Sequence, residues 1–90
     1  MRQVFRTAIP VDDTWHTVVL SGPILHVATR FEDQVEIWHL HNPGLVEFPR
    51  TFRVFGTGHH IDEDAGKHIG TAITPNDGRF VWHLFERRPA

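Results

Sequence analysis

The period of the apolar residues is the feature that most constrains this chain. No window of roughly a dozen residues sustains the i, i+3, i+4 stripe of an amphipathic helix, whereas short runs rich in Val, Ile, Phe, Thr and Trp recur between turn signals. These runs predict about seven strands: Val4 to Ile9, Trp15 to Leu20, Ile24 to Phe31, Val35 to His41, Thr51 to Gly56, His68 to Thr74 and Arg79 to Glu86. Pro10 with Asp12 and Asp13 ends the first run and Ser21-Gly22-Pro23 the second. Glu32-Asp33-Gln34 makes a tight reversal, Asn42-Pro43-Gly44 opens a loop, and Pro75-Asn76-Asp77-Gly78 reads as a hairpin turn. Short links predict antiparallel neighbours. The one long connection, Thr57 to Lys67, has room for a single helical turn supported by Ile61 and Ala65, capped by Asp62 and ended by Gly66.

An internal echo sharpens the architecture. His26-Val27-Ala28-Thr29 leads into Ile37-Trp38-His39-Leu40, and His68-Ile69-Gly70-Thr71 leads into Val81-Trp82-His83-Leu84. Two hairpins ending in aliphatic-Trp-His-Leu predict a small antiparallel β-barrel or sandwich of about six to seven strands, with a pseudo-twofold pair of hairpins in which each Trp fills half of the core. Side chains alternate along a strand, so Trp15, Trp38 and Trp82 pointing inward would send His16, His39 and His83 outward. Leu40 and Leu84 share a face with their Trp, while Leu20 falls opposite Trp15.

Ninety residues make one domain of limited core, and so small a fold favours self-association as a homo-oligomer. The chain has no Cys, which excludes disulfide frameworks, Cys-ligated zinc, iron–sulfur clusters and thiol nucleophiles. No apolar stretch is long enough to span a bilayer, and no apolar segment of a secretory signal follows Arg2 and Arg6, so the cytoplasm is the expected location and a membrane partner is not expected. A net charge of −2 without a basic stripe argues against nucleic-acid binding by bulk charge. Phe52-Arg53-Val54-Phe55 and Phe85-Glu86-Arg87-Arg88 interleave aromatic and cationic residues, but a domain this small spends most of its aromatics inside. Eight His side chains, fully protonated, would carry the charge from −2 to +6, so charge should vary strongly between roughly pH 5 and 7.

The strongest local chemistry lies where a strand leaves the sheet, at Arg53 to His60. Gly56 and Gly58 permit a positive φ or close approach of a ligand to the backbone. Consecutive N–H groups can form an anion nest, and Arg53, Thr57, His59 and His60 add polar groups. The competing reading is that both glycines serve only a tight bend. The pattern lacks the third glycine of a dinucleotide fingerprint and the Gly-Lys-Ser/Thr of a phosphate loop. His39 and His41, at i and i+2 on one strand, leave the same face and would chelate zinc if His16 or His83 supplied a third ligand, but no recognisable metallohydrolase motif surrounds them. The single Ser21 sits in a turn, and Asp62, Glu63 and Asp64 are adjacent on a loop, so neither a nucleophile with an oriented base nor a carboxylate pair stands out. No metal or cofactor is expected, and binding is favoured over turnover.

Three segments carry a resemblance: Thr51-Phe52-Arg53-Val54-Phe55-Gly56-Thr57-Gly58-His59, then Ile69-Gly70-Thr71, then Trp82-His83-Leu84-Phe85-Glu86. Together with Ile24-Leu25-His26-Val27 and the Trp38 strand, they make the chain resemble a family of small uncharacterised proteins encoded in bacteriophage and prophage genomes. The resemblance implies a phage accessory protein acting in the host cytoplasm. The expectation is therefore a non-catalytic module that captures a small anionic, nucleotide-like ligand of host defence at Arg53, Gly56, Thr57, Gly58, His59 and His60. The alternatives are a protein that inhibits a host enzyme by docking onto it and, further off, a His-dependent metal hydrolase.

Overall fold

A computed structural model describes residues 1–75 and 77–87. The strands are β1 (Gln3–Pro10), β2 (His16–Leu20), β3 (Ile24–Phe31), β4 (Gln34–His41), β5 (Phe48–Gly56), β6 (Lys67–Ile73) and β7 (Val81–Arg87), with a 3₁₀ turn at Glu63–Ala65. Every strand read from the sequence is present, displaced by three residues at most. Of the hairpin-turn residues, Asn76 lies outside the described residues; Gly78 has φ 65° and Asp77 accepts a hydrogen bond from the Arg79 amide at 3.0 Å, as the turn chemistry requires.

Two antiparallel sheets form the body, one ordered β1-β4-β3 and the other β2-β5-β7-β6. They face each other as a sandwich and do not close into a barrel. β3–β4 and β6–β7 are the two predicted hairpins, and each aliphatic-Trp-His-Leu run lies on a strand paired on both sides. Three short links do not join neighbours: residues 11–15, 21–23 and 42–47 carry the chain from one sheet to the other. A few residues suffice for this because packed sheets are only about 10 Å apart.

The core combines Ile9, Val35 and Ile37 of the first sheet with Leu20, Phe52, Val54, Ala72 and Leu84 of the second. At the β3–β6 edge the sheets come close at Gly70: a Cβ there would stand 2.7 Å from Cγ2 of Val27. The glycine is required by proximity across the sandwich rather than by its own dihedral angles.

One expectation is corrected. Trp and the following His do lie on opposite faces, but only Trp82 packs against the core. On β4 the aliphatic pair Val35 and Ile37 fixes the odd positions as inward, so Trp38 is carried to the outer face beside His26 (ring centroids 5.6 Å apart) while His39 is buried. Trp15 precedes β2 and stacks its ring under Arg87 (4.5 Å), leaving Val18 and Leu20 to face the core. The hairpins therefore match in backbone and not in packing, and a pair of half-cores each filled by a Trp does not form.

The sheets are pinned by two carboxylates. Glu36, 1% exposed, accepts hydrogen bonds from Nε and Nη2 of Arg30 at 2.8 and 2.9 Å and forms an ion pair with Nε of Arg6 at 3.0 Å. Glu86 receives Nε and Nη2 of Arg50, each at 2.7 Å. The 3₁₀ turn falls where Ala65 suggested, ending at Gly66 (φ 91°), although the side chain of Asp62 makes no capping bond.

Candidate functional site

β5 runs into its corner at Gly56. The His59 amide donates to the Gly56 carbonyl (3.1 Å) and the Gly56 amide donates to Nδ1 of His59 (3.3 Å), with Gly58 at φ 86° closing the turn. The imidazole lies against Gly56, where a Cβ would come within 2.9 Å of Cε1 of His59. The corner is thus held by a backbone-to-ring pair, and the His59 amide is already used.

Beside it opens a concavity of about 430 Å³ lined by Gly56, Thr57, His59, Arg79, Phe80, Val81 and Trp82. Phe80 and Trp82 stack with ring centroids 5.3 Å apart and planes 12° from parallel. Trp82 is anchored by its indole N–H, which donates to the Glu32 carbonyl of the β3–β4 turn at 3.2 Å. Arg79 is exposed and Asp77 lies 3.9 Å from its Nε, so its guanidinium is loosely held. The site offers a flat apolar wall, an imidazole and a cation within one recess.

Of the residues read from the sequence, Gly56, Thr57 and His59 come together here and three do not line the recess. Arg53 is on the outer face of the second sheet, its guanidinium 4.8 Å from the Phe55 ring, and among the described residues its buried Nε has no hydrogen-bond partner. Gly58 shapes the turn. His60 is exposed and its Nε2 is 3.3 Å from Asp62. Arg79, Phe80 and Trp82 went unassigned to this corner because they are more than twenty residues away along the chain and reach it only through the β5–β7 register, which sets Gly56 opposite Trp82.

A second cluster adjoins the first on the outer face. Thr57 Oγ1 is 2.8 Å from Nε2 of His83, Nδ1 of His83 is 3.0 Å from Oγ1 of Thr71, and that oxygen is 2.9 Å from Nε2 of His68. Four side chains from the β5 corner, β6 and β7 make one unbroken hydrogen-bonded chain. Next to it Phe85 meets Phe55 edge-on (5.5 Å) and His68 (5.4 Å), and Trp15 meets Phe55 (6.3 Å). The three sequence segments singled out above converge here through Thr57, Thr71 and His83. Alternation alone puts His83 on one face of β7; its meeting with Thr57, one residue beyond the end of β5, and with Thr71 of β6 required the order β5-β7-β6.

His39 and His41 do share a face, turned inward. Nε2 of His39 meets the Thr7 hydroxyl at 3.0 Å, and His41 stacks on Phe5 at 4.6 Å. Burial pushes the His39 imidazole below its ordinary value, with the nearby His41 and Arg50 adding to the effect. His83 lies on the outer face of the other sheet and His16 is held by Asp12 at 2.8 Å, so neither joins them. Among the described residues no group of three such side chains is placed to hold a metal ion. No helix is long and apolar enough to cross a membrane.

No curated protein and no solved structure matches the chain. A family model does, over residues 1–90, and by that match the chain belongs to the family described as Domain of unknown function (DUF7352).

Proposed function

We propose that this protein is a phage accessory module of the host cytoplasm that binds without turnover, retaining a small planar anion such as a nucleotide in the recess at the Gly56 corner. The observation that carries the reading is the pairing of a stacked Phe80–Trp82 wall with Arg79 and His59 around Gly56 and Thr57. A base needs an apolar face to lie on and a phosphate needs nearby donors, and a recess of about 430 Å³ falls within the size range of small-molecule sites. Neither Arg53 nor His60 is needed for it. Isothermal titration of the folded protein against cyclic and linear nucleotides tests the reading. Saturable heat with one class is expected, weakened about tenfold in Arg79→Ala, the loss of one charge-assisted contact. No heat with any member overturns it.

A second reading, inhibition of a host enzyme by docking, is favoured by exposed Val19, Leu45, Val46 and Phe48 at the end from which the 42–47 loop emerges. A stoichiometric protein partner recovered from host lysate, lost in Phe48→Asp, would support it over capture.

A further inference from the structure

We propose that Thr57 is a nucleophile activated by His83, and that it accepts an acyl group from an activated aryl ester seated in the neighbouring recess. The proposal goes beyond ligand capture and does not require that the natural ligand be a nucleotide.

A hydroxyl becomes a competent nucleophile when a base within hydrogen-bond reach takes its proton and a further group fixes the orientation of that base. All three parts are present. Thr57 is exposed between two glycines, which leaves the approach to its oxygen open, and Nε2 of His83 stands 2.8 Å from that oxygen. The other ring nitrogen is engaged by Thr71, and Thr71 in turn by His68. In the orientation in which Thr57 donates to Nε2, His83 donates its Nδ1–H to Thr71 and Thr71 donates its hydroxyl proton to Nε2 of His68. Each hydroxyl and each nitrogen between the ends is then satisfied once. In that orientation His83 is the tautomer that accepts a proton on the side facing Thr57, the one the reaction uses. When it does so, the imidazolium keeps Nδ1–H on Thr71, so charging the ring breaks no bond.

Thr57 also lines the recess that contains Phe80, Trp82 and Arg79. An aromatic leaving group would lie on the two stacked rings, and the cation would attract the oxyanion released from it. In the step, Thr57 Oγ1 forms a bond to the acyl carbon and the bond from that carbon to the aryl oxygen breaks. The leaving aryl oxide carries away the electron pair, and the Thr57 proton passes to Nε2 of His83 and from there to solvent. No oxidant, metal or second substrate is required.

The test is reaction with p-nitrophenyl acetate, read as release of p-nitrophenolate and, by peptide mass mapping, as the position of the acetyl group. The expected result is a stoichiometric burst with the acetyl on Thr57. Thr57→Ala should abolish that label and Thr57→Ser should restore it. His83→Asn should slow labelling by about a hundredfold, the loss of a general base. Thr71→Val, acting on a positioning residue, should shift the pH dependence of labelling while leaving the thermal melt unchanged. Acetylation confined to Lys67 or the terminal amine, or labelling of Thr57 that persists at full rate in folded His83→Asn, would overturn the proposal. Nucleotide titration of the same preparation separates the two readings, since binding without acylation removes only this one and acylation without binding removes only capture.

Discussion

At the scale of single residues, two buried ionisable groups set expectations for stability. Glu36 is almost wholly enclosed, yet its carboxyl is held below the usual range, chiefly by the hydrogen bonds from Arg30 and against the opposing effect of burial. Glu36→Gln should cost about 2 kcal/mol, less than the ~3–5 kcal/mol of a fully enclosed pair because both guanidinium groups are half exposed. Since the folded carboxyl titrates below its ordinary 4.5, its contribution is complete above that pH and is lost as pH falls through the folded value. Denaturant titrations between pH 6 and 3 on both proteins check this: the mutant should lose less stability on acidification. His39 is displaced in the same direction for another reason, burial of the ring, and among the described residues its Nδ1 has no partner. The unfolded chain takes up a proton near 6.5 that the folded ring resists, so this share of stability is present above 6.5 and falls away as pH drops toward the folded value. Thermal melts of His39→Leu should accordingly depend less on pH between 7 and 5 than those of the parent.

At the scale of elements, the pairing of hairpins across the sandwich decides which aromatic matters. Trp82 packs on the core and ties the β3–β4 turn through its indole N–H, whereas Trp38 lies on an outer face. Trp82→Ala should therefore cost about 3 kcal/mol and Trp38→Ala about 1 kcal/mol, measured by urea unfolding. Equal costs would mean that the β4 register is wrong. The β3–β6 contact gives a sharper check. Gly70→Ala puts a methyl 2.7 Å from Cγ2 and 2.8 Å from Cβ of Val27, which forces the sheets apart at a cost of about 1–3 kcal/mol. Val27→Ala in the same chain should recover part of that loss, a coupling that a double-mutant cycle measures directly. Strand positions were legible because apolar runs and turn residues coincide, as at Pro10, Ser21-Gly22-Pro23 and Glu32-Asp33. Which face each strand turns inward was not, because alternation relates neighbours to each other without saying which is inside.

At the scale of the whole molecule, exposed Leu45, Val46 and Phe48 on and beside one loop, with Val19 on the adjoining strand, leave apolar surface that so small a core does not absorb. We propose that copies of the chain associate through this end; sedimentation should then show Val46→Asp combined with Phe48→Asp shifting the distribution toward monomer with an unchanged melt. The candidate site divides in the same way as the fold. Gly56, Thr57 and His59 were recognisable together because they are contiguous, and a corner leaving a sheet needs glycine wherever φ is positive or another group packs on the backbone. Arg79, Phe80 and Trp82, like the His83–Thr57 and His83–Thr71 contacts, come from strands far apart along the chain. By itself the sequence determined an all-β chain with its strands, turns and one glycine corner, since period, propensity and turn chemistry act over a few residues. The tertiary structure alone decided that the sheets stay open as a sandwich, that Trp38 faces outward, and that Thr57 meets His83. Those outcomes depend on strand order and on which side of each strand buries more apolar surface, a competition settled only when all the strands pack at once.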